Sequence, residues 1–211
     1  MTLVELSIGL VVTSLVMAAL GALWFAVARA WTGAALPQGA ALTGNVAVAR
    51  IESTIRAARH VCRWHPGAAD GGATPAASVF FWRADDWGAA DRAVQFAELA
   101  LIEHDPAARR LYLYEALPAA AMTADQRQRA SIVPTWAEMS AAGTPAAFKA
   151  YDFVRRKVVT EAVTGALFNV PVPTRGARPA LEFTLTLSRA GGDARLYGLA
   201  TMRAPSTRPT Y

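Results

Sequence analysis

From Leu6 to Ala28 the chain carries no charged side chain, only apolar residues, glycines and the hydroxyls of Ser7, Thr13 and Ser14. As a helix this run of about 23 residues would reach roughly 34 Å, enough to cross a hydrocarbon core of about 30 Å. It is too long for the apolar region of a secretory signal, and it lacks both a preceding basic region and an Ala-x-Ala cleavage site. It therefore reads as a membrane segment that stays in the mature protein. One acid, Glu5, stands just ahead of it. An ionised carboxylate in hydrocarbon costs about 2.5–3.5 kcal/mol at the centre of a helix and less near an end. Its neighbours offer no counter-charge, since they are apolar apart from Thr2 and Ser7 and the nearest cation, Arg29, is far along the chain. The plain alternative is an N-terminal acid among headgroups, favourable to a helix dipole.

Trp24, Phe25 and Trp31, with Arg29, mark the far end of the segment, where aromatic rings and long cations favour the interface. Gly33 and Pro37 then punctuate the chain. A helical pattern resumes from about Leu42 to Val61: Val48, Ile51, Ile55, Ala58 and Cys62 step by three and four, and Arg56, Arg59 and Arg63 do the same on another side. The spacing predicts an amphipathic helix with one face on a head and the other facing solvent or a partner.

Beyond it the period changes. HPGAADGGATPAA (65–77) reads as an exposed loop. SVFFWRA, ELALIEH and RRLYLYEA read as strands, the last two joined by DPAA as a hairpin. Thr123 and Gln126 fit a capping box, so a short helix is expected around 124–131. AAFKAYDFVRRKVV fits a helix or a strand pair. GALFNVPV, ALEFTLTLS and RLYGLATMR read as strands, and in the second of them Leu181, Phe183, Leu185 and Leu187 alternate with polar residues, which buries one sheet face. The expected fold class is α+β, with a long N-terminal hydrophobic α-helix packed on an antiparallel β-sheet head. The expected boundaries are 1–35 for a transmembrane or filament-core helix, 36–64 for its amphipathic continuation, 65–204 for the head and 205–211 for a flexible tail.

TLVEL at positions 2–6, followed by the long apolar run, resembles the type IV pilin and pseudopilin family in processed form. The resemblance implies that a prepilin peptidase cuts a short leader just before Met1, that Met1 is N-methylated, and that Glu5 is the family's nearly universal glutamate. Its partner would be the α-ammonium of Met1 on a neighbouring subunit. Met1, Thr2 and Glu5 are then assembly residues, while Leu3, Val4, Leu6, Ile8, Leu10, Val11, Val12, Leu15, Val16 and Leu20 would line the packed filament core. Residue 1 departs from the family pattern in being Met where phenylalanine is commonest, and the usual pair of cysteines near the C-terminus is absent. VARIESTIRAARHV (48–61), EAVTGALFNV (161–170) and ALEFTLTLSRAGGDARLYGLATMRA (180–204) resemble the larger minor subunits, the J pseudopilin of type II secretion and the W minor pilin. The implied function is that of a structural subunit, minor rather than major, of a pilus-like or type II secretion filament. Homologous subunits, the peptidase and the assembly machinery would be its partners. It would sit in the inner membrane before assembly and in a periplasmic or extracellular filament afterwards. The alternatives are a major pilin, or a single-pass anchored binding protein that does not polymerise.

The remaining chemistry is sparse. A single cysteine, Cys62, allows no intrachain disulfide. His60, Cys62 and His65 form the one cluster of soft ligands, but H-x-C-x2-H matches no standard metal spacing, so neither a metal nor another cofactor is expected. Net charge is +5, and Arg56, Arg59 and Arg63 beside Trp64 form a possible basic interaction face. Such a stripe more often meets carboxylates of an adjacent subunit, or is only solvated, than binds nucleic acid. There is no Gly-rich phosphate loop, G-x-S-x-G, C-x-x-C-H or H-E-x-x-H, so an enzyme is not expected.

Overall fold

A computed structural model describes residues 13–14, 16–17, 20–24, 44–68, 76–83, 94–171, 179–188 and 192–202. The chain divides into two units, Met1–Leu42 and Thr43–Tyr211. In the first, the described positions 13, 14, 16, 17 and 20–24 are helical.

The second unit starts with α1 (44–56). Ala47, Ile51, Ile55 and the following Ala58 are buried, one side of a helix at the expected three- and four-residue steps. Glu52 and Arg56 pair on its outer side at 3.0 Å. The helix stops where long-range bonding takes over: the Ala58 amide tightens onto the Ile55 carbonyl at 2.9 Å, and the Arg59 amide donates to the Trp82 carbonyl at 2.8 Å. The chain then enters β1 (His60–His65) and a two-residue strand, β2 (Gly67–Ala68).

β1 belongs to a five-stranded antiparallel sheet with β3 (Ser78–Trp82), β4 (Leu99–Asp105), β5 (Arg110–Ala116) and β6 (Val154–Glu161), in the order β1-β3-β4-β5-β6. β4 and β5 form a hairpin whose turn is held by the Ala108 amide donating to Asp105 Oδ1 at 2.9 Å. Between β5 and β6 lie three short helices, α2 (Ala124–Ala130), α3 (Trp136–Ser140) and α4 (Thr144–Ala150). Reciprocal capping boxes start the first two, Thr123 with Gln126 and Thr135 with Glu138, and Pro145 lies in the first turn of the third. Met139 and Phe148 from this insertion cover one face of the sheet, packing with Cys62, Phe80, Trp82 and Leu101. The Phe80 and Phe148 rings meet edge to face at 5.3 Å.

A second antiparallel sheet has the order β2-β7-β8-β9, with β7 (Val163–Asn169), β8 (Ala180–Leu187) and β9 (Ala194–Thr201). The main core is shared by α1 and both sheets: Ile51 and Ile55 meet Phe81, Ile102 and Leu111 of the first sheet and Phe168, Phe183 and Leu185 of the second.

Two expectations need correction. A long apolar N-terminal α-helix packed on the head is not found: no helix among the described residues is long and apolar enough to cross a membrane. The described helices of the second unit run from α1 down to the five residues of α3, against the about 20 that a span requires. The fold is instead dominated by two antiparallel sheets with short helices. The helix expected over 42–61 also ends early, so residues 60–65 form a strand. Cys62 sits at a bulge between Val61 and Arg63, which turns its thiol inward and mimics the helical step from Ala58.

Candidate functional site

The strands of the second sheet present two rows of three side chains on the outer face. Leu167, Thr184 and Tyr197 lie opposite one another across β7, β8 and β9, and Asn169, Glu182 and Leu199 form the neighbouring row. Successive residues of a strand point to opposite faces, so Phe168, Phe183 and Leu185 go into the core while these six face out. Trp64 and Pro66, at and just after the end of β1, close one side. The result is a groove of about 800 Å³. Its apolar rim is open: Tyr197 is 71% exposed, Leu199 56% and Trp64 46%. Asn169 Nδ2 donates to Glu182 Oε2 at 2.9 Å, which orients the carboxylate without neutralising it. Among the described residues, Glu182 is the one charged residue in the lining. A surface built this way can hold an apolar or aromatic group beside a cation.

A second cluster sits where β3, β5 and β6 approach. Glu115 is buried on β5 and takes three cations: Arg83 Nη1 at 2.8 Å, Arg155 Nη2 at 2.8 Å and Lys157 Nζ at 2.5 Å. Burial pushes this carboxyl up, but the hydrogen bonds from Lys157 and Arg155 and the charge of Arg83 outweigh it, so its pKa is lowered from 4.5. A depressed carboxylate contributes stability that is present above its unfolded pKa and is lost as pH falls through the folded one. Glu115→Gln is therefore expected to cost about 2 kcal/mol near neutrality, less than the ~3–5 of a fully buried pair because the cations stay partly exposed. Urea melts at pH 7 and at pH 3 test this: the gap between variant and native protein should shrink at the lower pH. An equal gap at both would mean the carboxylate charge is not what matters.

The sequence-predicted residues fall as follows. Met1, Thr2, Leu3, Val4, Glu5, Leu6, Ile8, Leu10, Val11, Val12 and Leu15 lie outside the described residues; Val16 and Leu20 are helical and exposed. Arg56, Arg59 and Arg63 do not form one helical stripe. Arg56 lies on α1 against Glu52, the Arg59 guanidinium lies 5.3 Å from the centre of the Trp82 ring, and Arg63 on β1 donates from Nη1 to the Ser140 carbonyl at 2.6 Å. His60 packs edge-on to Trp136 at 5.1 Å, and burial lowers its pKa. Burial pushes the Cys62 thiol up to about 12, which keeps it protonated and unreactive. Among the described residues no group of three His, Cys, Asp or Glu side chains is placed to hold a metal ion. The reading of the sequence singled out neither Glu115 nor Tyr197. The one local signal for the groove was the period-two alternation of β8. In comparisons with known proteins, no family model, no curated protein and no solved structure matches this chain.

Proposed function

We propose that this chain is a structural, non-catalytic subunit of a type IV pilus-like or type II secretion filament, and a minor rather than a major one. Before assembly it is held at the inner membrane; afterwards it joins homologous subunits in a periplasmic or extracellular fibre. The observation that carries this reading is the placement of Glu5 inside TLVEL, a single acid directly ahead of the uncharged run Leu6–Ala28. The described helical residues of that run add support. Val16, Met17, Leu20, Leu23 and Trp24 are all exposed, Trp24 by 78%, and so many adjoining apolar side chains need lipid or another subunit to cover them.

Lipid and protein are nearly equivalent covers in hydrophobic terms, so close packing and charge pairing must decide between them. Glu5 supplies the charge, and the α-ammonium of Met1 on a neighbouring subunit supplies its complement. Mass spectrometry of the mature N-terminus tests the reading, with N-methyl-Met1 as the expected species. A formylated or unmethylated Met1 would point to an anchored protein that does not polymerise. In purified filaments a minor subunit should be present well below one copy per major subunit.

A further inference from the structure

Among the described residues β6 and β9 are edge strands, and they differ in how those edges are protected. β6, the last strand of the first sheet, carries Arg155, Arg156 and Lys157 and a bulge at Val159, opposite Leu111/Tyr112. Charges and bulges of this kind keep an edge from pairing with another chain. β9, the last strand of the second sheet, has neither device. It runs eight residues, ARLYGLAT, in unbroken register with β8, contains no proline, and has Arg195 as its one charge. Its outer side chains include the exposed Tyr197 and Leu199.

We infer that β9 pairs antiparallel with β9 of a second copy of this chain, about a two-fold axis at Tyr197. The register follows from charge. Directly opposed residues of an antiparallel pair point to the same face. With Tyr197 opposite Tyr197, Arg195 of the second copy stands opposite Leu199, in the same row as Asn169 and Glu182. The arginine then lies two strand spacings, about 10 Å, from the Glu182 backbone. The two side chains close that distance by reaching over Leu199. The two-fold forms the contact twice, and both grooves gain the cation that Glu182 lacks among its lining residues. Shifting by one pair either way puts Arg195 in the row of Tyr197 and Thr184, or in that of Thr201 and Ala180, and neither row holds an acid. A further shift sets Arg195 against Arg195.

This pairing concerns the second unit and does not depend on the filament reading, because its signature is local to residue 197. The test uses the full chain in detergent with Tyr197→Cys. Opposed Cβ atoms of an antiparallel pair lie about 4.5–5.5 Å apart, close enough for a disulfide after slight adjustment. Cys62, being buried, does not compete. Mild oxidation should give a disulfide dimer on a non-reducing gel. Val158→Cys, at a position also exposed (41%) on the protected β6 edge, should stay monomeric, which controls for association through the N-terminal unit. Adding Glu182→Arg to Tyr197→Cys should cut cross-linking about tenfold, and adding Arg195→Glu as well should restore it. Circular dichroism confirms that each variant is folded. Cross-linking at 197 no greater than at 158, or charge reversal without effect, overturns the proposal.

Discussion

Under the proposed filament function, Glu5→Leu should leave a folded protein that stays with the membrane yet no longer enters filaments. The substitution removes the one charged side chain ahead of Leu6–Ala28, so partition into lipid becomes more favourable. Assembly loses its directional term. Two unit charges about 4 Å apart attract by about 4 kcal/mol at an effective dielectric of 20. If desolvation cancels half of that, the remaining ~2 kcal/mol still changes incorporation by more than tenfold. The test is immunoblotting of sheared filaments and of membranes from the same cells. The variant should be lost from the first and retained in the second. Glu5→Gln separates charge from size, and should fail as Glu5→Leu does if the ion pair is what matters. Normal incorporation of both variants removes the pairing from the proposed function, whatever the N-terminal mass shows.

Six strands of the second unit, β3, β4, β5, β7, β8 and β9, were legible because their signals are local. Leu181, Phe183, Leu185 and Leu187 alternate with polar residues, and all four are buried on β8. Thr123 and Gln126 announce α2 through a bond pattern confined to four residues. The segment AAFKAYDFVRRKVV left helix and strand undecided for a physical reason: it holds both, α4 up to Ala150 and β6 from Val154. The end of α1 was hidden because the bond that stops it joins Arg59 to Trp82, and no window around 42–61 contains Trp82. The basic stripe failed with it, since helical spacing means nothing once Arg63 lies on a strand. Glu115 and the groove were out of reach for the same reason. Arg83 and Arg155 meet Glu115 from 32 and 40 residues away, and Trp64 joins Tyr197 only through the way the two sheets adjoin. The apolar N-terminal run is legible from composition alone, and most of it lies outside the described residues. Composition over a long window reads as one spanning helix, yet no helix among the described residues is long and apolar enough to be one.

Phe183→Ala is expected to destabilise the second unit by about 3–5 kcal/mol, the range for removing a phenylalanine from a packed core. Phe183 is 3% exposed and belongs to the core shared by α1 and both sheets. Its ring also lies over Gly198 on β9, its partner in the ladder. A Cβ added at Gly198 would come within 2.1 Å of Phe183 Cζ, so glycine is kept there by the ring, not by backbone conformation. Gly198→Ala thus sets two effects against each other. Alanine should gain about 0.5–1 kcal/mol inside a strand, because glycine loses more freedom on folding, but displacing a buried ring costs about 1–3 kcal/mol. The clash wins in the native background. With Phe183→Leu, which shortens the side chain above Gly198, the clash is relieved and Gly198→Ala should turn neutral or stabilising. Thermal melts of the four proteins measure this. Each kcal/mol moves Tm by about 2–4 °C in a domain of this size, so Phe183→Ala should lower it by roughly 10 °C. If Gly198→Ala has the same effect in both backgrounds, the two residues are not coupled and the contact between ring and strand is not what fixes the glycine.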